Sequence, residues 1–103
     1  MNYNQDYLSL LIKIQRRGQY TQRELANELG FSLGKLNYSL KALKAKGLIK
    51  INNFKKSNNK ISYIYILTPK GLEKKIQLTL NFMRNNMREY DQLSKELNAN
   101  MER

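Results

Sequence analysis

Residues 21–46 read TQRELANELGFSLGKLNYSLKALKAK, and this stretch decides the fold. Its first ten residues carry a complete helix start and stop. Thr21 and Glu24 have capping-box spacing: the threonine hydroxyl can accept from the Glu24 amide, and Glu24 can reach back to the Thr21 amide. Tyr20 and Leu25 occupy the two positions of a hydrophobic staple, Leu25, Ala26 and Leu29 make an apolar stripe, and Gly30 closes the helix. A second helix begins at once, with Ser32 as its N-cap and Phe31 with Leu36 as its staple. Leu33, Leu36, Leu40 and Leu43 fall on one face, and the helix ends near Lys46, before Gly47. The unit is thus two short helices joined by a tight glycine turn.

One residue breaks this local logic. The capping-box glutamate position of the second helix is filled by Lys35. A helix N-terminus carries partial positive charge and favours Asp or Glu. Such inconsistencies tend to mark functional sites, so Lys35 is expected to hold an anion.

Outward from this unit, Tyr7, Leu8, Leu11, Ile12 and Ile14 give a helix from about Gln5 to Arg17, ended by Gly18. After Gly47, the runs 48–54 and 62–67 read as two strands, with the polar, basic stretch 55–60 as the tip of a hairpin. Tyr63 and Tyr65 are expected on one strand face and Ile64 and Ile66 on the other. Thr68 then caps a last helix that has Pro69 at its first position and runs to about Asn100, on the order of 45 Å. Ile76, Met83, Tyr90 and Leu97 recur every seven residues. Leu80, Met87, Ser94 and Met101 form a companion row, with Leu93 beside it. A two-row repeat of this kind is a packing seam. Two regions follow: 1–68, a compact lobe, and 69–103, a helix longer than the lobe needs for its own core.

Charge points to a partner. The 103 residues carry 19 Lys and Arg against 8 Asp and Glu, for a net +11. Residues 1–69 hold twelve of the basic side chains and three of the acidic ones, so the excess lies in the lobe. With no Cys and no His, disulfides, thiolate or imidazole metal sites and nucleophile–histidine catalysis are excluded. No cofactor and no enzymatic activity are expected. No apolar run approaches the roughly 20 residues of a membrane span, and a cytoplasmic location is expected.

The order helix, helix, tight turn, helix, hairpin is that of a winged helix-turn-helix, an α+β fold that is mostly α: three helices, a β-hairpin wing and here a long C-terminal helix. The third helix of such a fold enters the DNA major groove, and the wing follows the backbone. The residues fit that use. On a wheel of roughly 100° per residue, the outward face of the third helix is Gly34, Lys35, Tyr38, Lys41, Ala42 and Ala45, with Asn37 and Ser39 on its flanks. No acidic residue occurs from Leu29 to Leu72. Solvated helix faces usually mix signs through Glu–Lys pairs, and this one does not. Lysine reaches phosphates or guanine edges, Asn37 can pair with adenine, and Tyr38 can meet a phosphate or a thymine methyl. Lys55, Lys56, Ser57, Asn58, Asn59 and Lys60 suit phosphate contact at the wing, and Arg23 can meet the backbone from the second helix. The alternatives are a winged helix that binds RNA or non-specific DNA, and a protein-interaction module docking through its long helix.

Thr21–Gly30, Ser32–Leu43, Lys46–Ile49, Asn53–Lys60 and Leu67–Gly71 together resemble the MarR-type winged-helix transcriptional regulators. The likeness is nearest to the short subgroup associated with exopolysaccharide (EPS) gene clusters in bacteria. The resemblance implies a homodimeric, cytoplasmic regulator of sequence-specific double-stranded DNA binding. It makes Ser32, Gly34, Lys35, Asn37, Tyr38 and Lys41 recognition-helix contacts and residues 55–60 wing contacts. The chain departs from typical members in two ways. Its wing lacks their Asp-x-Arg pair, and it lacks their extended helical dimerisation domain, which leaves a small-molecule effector doubtful. The dimer would rest on the long helix alone, through Ile76, Leu80, Met83, Met87, Tyr90, Leu93 and Leu97.

Overall fold

The computed structural model describes residues 3–16, 19–57 and 60–101, and at 3, 53–55, 57 and 60 it describes the backbone alone. Seven elements follow one another: α1 (Tyr3–Arg16), β1 (Gln19–Thr21), α2 (Gln22–Leu29), α3 (Leu33–Ala45), β2 (Ile49–Ser57), β3 (Lys60–Leu67) and α4 (Pro69–Met101). The end of α1 expected at Arg17 and Gly18 lies outside the described residues.

The capping signals form as the spacing predicts. The Glu24 amide donates to Thr21 Oγ1 at 3.0 Å, and the Thr21 amide donates to Glu24 Oε1 at 3.4 Å. Gly30 closes α2 at φ +70°, a left-handed conformation that costs glycine little. Ser32 caps α3 by accepting from the Lys35 amide at 3.1 Å.

The sheet holds one strand more than the sequence suggests. Its order is β1-β3-β2, all antiparallel, with Gln19 opposite Ile64 and Thr21 opposite Ser62. β1 has only three residues, too few for alternation to register, and it forms because β3 offers a free edge. The hairpin is also longer than expected: β2 and β3 stay paired as far as Ser57 and Lys60, with an irregularity between Ile51 and Asn53. Tyr63 and Tyr65 do share a face, their ring centroids 6.0 Å apart.

One core joins the three helices of the lobe, the sheet and the start of α4. Leu10, Leu11, Ile14, Leu25, Leu36, Leu43 and Tyr65 fill its centre. Leu10 falls outside the stripe read from the sequence because α1 is covered on two sides, by the lobe and by α4. Conversely, Leu33, expected in the α3 stripe, is 45% exposed. It is the first residue of its helix, and helical side chains lean toward the N-terminus, so it overhangs the core. Ser39, expected on a flank, is buried.

Tyr65 gives the lobe a pH dependence. Burial pushes its phenol up to about 12, against a smaller opposing pull from the Gln22 side chain and with a small push from Tyr63. The unfolded chain releases this proton near 10, whereas the folded one holds it. The stability it supports is therefore full below pH 10 and falls between pH 10 and about 12. Tyr65→Phe is expected to reduce the alkaline loss of stability, read as a smaller drop in thermal midpoint between about pH 9 and about pH 11.

α4 is anchored at its first turn. The Thr68 hydroxyl accepts from the Gly71 amide at 3.0 Å and donates to the Gly47 carbonyl at 2.6 Å. The Thr68 amide donates to the Leu48 carbonyl at 3.1 Å. Gly71 is buried directly against Leu48. Farther along, Leu78 is buried, and Lys75 bonds to the Gln15 side chain. Beyond Asn85 the helix leaves the lobe, and the described residues extend 65 Å along their longest axis. No helix among the described residues is long and apolar enough to cross a membrane.

Candidate nucleic-acid interface

α3 lies with Leu36, Leu40 and Leu43 in the core, which turns its opposite side outward. Gly34, Tyr38, Lys41, Lys44 and Ala45 are exposed there, and Asn37 is half-buried at the edge. Tyr38 is 62% exposed. A Cβ added to Gly34 would meet nothing within 4 Å, so the first turn of α3 presents bare backbone. The face is thus cationic, polar and shallow at its leading end, a surface that suits a groove and its phosphates.

Lys35 is placed differently from its neighbours. It is half-buried on the rim of this face, with Ala42 and Ser39 on the core side. Its ammonium lies 3.1 Å from Asp6 Oδ2 on α1 and 4.3 Å above the Phe31 ring. The unfavourable charge at the helix start is therefore balanced by a carboxylate from another helix. Nothing local in the sequence marks Asp6, which is 29 residues upstream and sits in the acidic first turn of its own helix.

The remaining candidates flank α3. Ser32 and Arg23 are exposed, and Lys56 is exposed on β2. Lys44, Lys46 and Lys50 are also exposed and extend the basic set beyond the sequence reading, with the Lys46 ammonium 5.0 Å from the centre of the Tyr7 ring. Asn58 and Asn59 lie outside the described residues, as do the side chains of Lys55, Ser57 and Lys60. The other candidate surface is on α4, where Ile76, Leu80, Met83, Met87, Tyr90, Leu93 and Leu97 are each between 47% and 73% exposed. No group of three or more His, Cys, Asp or Glu that could hold a metal occurs among the described residues.

Three lobe helices, a tight turn between α2 and α3, a three-stranded sheet with a projecting hairpin and an exposed basic face on α3 define a winged helix-turn-helix protein. Residues 8–50 match the family described as winged helix-turn-helix DNA-binding. No curated protein matches the chain in sequence. Solved structures show the same fold. Sso10a-2, a DNA-binding protein from Sulfolobus solfataricus, aligns with a TM-score of 0.64 at 16% identity over 94% of this chain and 95% of its own. MepR, a transcription regulator of the Staphylococcus aureus multidrug efflux pump MepA, aligns with a TM-score of 0.65 at 24% identity, over 99% of this chain and 72% of its own. A MarR-family transcriptional regulator from Silicibacter pomeroyi aligns with a TM-score of 0.61 at 18% identity. That alignment covers 82% of this chain and only 56% of the regulator. The fold is therefore shared with MarR-type regulators, in a shorter chain than the one from Silicibacter.

Proposed function

We propose that the protein is a cytoplasmic, sequence-specific, DNA-binding transcriptional regulator that acts as a homodimer. The observation that carries this reading is the exposed face of α3, where Gly34, Tyr38, Lys41 and Ala45 stand together with no acidic residue in the helix. In this reading α3 enters the major groove: Gly34 allows close approach, Asn37 and Tyr38 meet base edges, and Lys41 meets phosphate or guanine. Ser32 and Arg23 position the backbone, and residues 55–60 of the wing follow the phosphates. Lys35 adds a phosphate contact at the rim of the groove. Residues 1–68 form the DNA-binding lobe, and 69–103 the helix that pairs with a second copy through the Ile76–Leu97 seam. The two α3 helices then meet successive major grooves about 34 Å apart on a near-palindromic site.

Selection of bound duplexes from a random library at physiological salt tests this reading. A palindromic motif with two half-sites supports it. Enrichment of no motif overturns sequence specificity and favours a non-specific or RNA-binding role. Lys41→Ala separates the two contacts open to that lysine. Loss at a phosphate lowers affinity on all sequences and reduces the salt slope by about 0.9 per contact. Loss of a guanine contact instead relaxes preference at one base pair, at about 1–3 kcal/mol.

A further inference from the structure

We propose that Asp6 is an internal substitute for a DNA phosphate, holding Lys35 until DNA arrives and limiting what the leading turn of α3 adds to affinity. The proposal rests on the DNA-binding reading above and goes beyond it by assigning a role to a residue on α1.

Three observations carry it. First, the Lys35 ammonium has a defined anion partner, Asp6 Oδ2 at 3.1 Å, although α3 has no acidic residue in its own first turn. A cation at that end of a helix is repelled by the dipole, so an outside carboxylate is what holds it there. Second, the pair is reachable. The Lys35 side chain is 32% exposed and that of Asp6 20%. An ion pair open to water is held weakly, so a second anion can displace the first. A duplex offers one phosphate charge per roughly 1.7 Å of axis. Third, Lys35 lies beside Gly34, where the backbone is bare, and Phe31 supports its ammonium from below at 4.3 Å. The ring keeps the charge at the rim when the carboxylate is lost. Phe31 and Asp6 therefore divide the work: one places the cation and the other occupies it.

The exchange has a consequence in salt. When Lys35 leaves Asp6 for a phosphate, the phosphate releases a counterion, but rising salt also screens the Asp6–Lys35 pair and lowers the cost of breaking it, which offsets part of the loss. The pair thus hides a cation from the salt dependence of binding. Asp6→Asn removes the competing anion and exposes the full release of about 0.9 ions per phosphate.

Fluorescence anisotropy across a salt series tests this with a mixed-sequence duplex of about three helical turns. The proteins compared are the wild type, Asp6→Asn, Lys35→Ala and the double variant. Asp6→Asn is expected to bind roughly 3- to 10-fold more tightly at low salt and to steepen the log–log salt slope by up to about 0.9 per protomer. Both effects should disappear in the Lys35→Ala background. Persistence of the gain without Lys35 would mean general repulsion by Asp6 and would overturn the proposal. An unchanged slope in Asp6→Asn would overturn it too, since Lys35 would then not reach a phosphate. A wild-type protein with no salt-dependent binding would overturn the DNA reading itself, and this proposal with it. Thermal unfolding of Asp6→Asn, expected to show a midpoint close to that of wild type, separates affinity from stability.

Discussion

Gly71→Ala is expected to destabilise the protein by more than about 3 kcal/mol, the largest loss of stability foreseen for any one-methyl change in the chain. A Cβ at Gly71 would lie 2.0 Å from the Leu48 carbonyl oxygen, 2.9 Å from its carbonyl carbon and 2.8 Å from Leu67 Cδ1. The first two atoms are backbone, so no rotamer change relieves the overlap. The carbonyl cannot retreat freely either, because it accepts the Thr68 amide at 3.1 Å. Either the first turn of α4 lifts away, losing the Thr68 bonds to Gly47 and Leu48, or the turn after α3 deforms. In thermal unfolding the midpoint should fall by about 12 °C or more. Gly34→Ala is the matched control. Its Cβ meets nothing within 4 Å, and alanine favours the helix by about 0.5 kcal/mol or slightly more. An unchanged midpoint for Gly71→Ala would show that α4 does not seat on Leu48 as described.

Met87→Glu combined with Tyr90→Glu is expected to abolish the proposed dimer and to weaken binding to a two-half-site duplex by about 10²- to 10⁴-fold. The two side chains are 64% and 73% exposed in the single chain, in a stretch of α4 that the lobe does not cover. Burying carboxylates at the centre of an apolar seam is costly unless they are paired. In a helix of a single chain, the same carboxylates are simply solvated. The change should therefore spare the fold and act only on association. Sedimentation should show a monomer, and thermal unfolding at low protein concentration should change little. Affinity for a single half-site should remain near its original value, since α3 is untouched. A double variant that still sediments as a dimer would place the interface elsewhere.

How much of this was legible in the residues depends on the range of the interaction. Capping boxes, staples and glycine stops act within five residues, so α2 and α3 could be read from Thr21, Glu24, Gly30 and Ser32 alone. The long helix was legible from Thr68-Pro69 and the seven-residue repeat. β1 was not, because three residues between two helices become a strand only through Ile64, Tyr63 and Ser62. The basic face of α3 was legible as a group, since periodicity gives direction. The placement of Lys35 was not, because its partner Asp6 belongs to another helix. Gly71 carried no sequence signal of its close contact with Leu48, which depends on where the chain returns after the hairpin.

The Thr68–Gly71 junction also turns angles into lengths. α4 spans 33 residues, about 50 Å, and it is fixed at the end nearest the turn that follows α3. A change of about 5° at that junction would carry the far end through about 4 Å. One base pair advances a duplex by about 3.4 Å. In a dimer joined through these arms, the stiffness of a few hydrogen bonds around Leu48 would be read by DNA as a tolerance, in base pairs, for the spacing between half-sites.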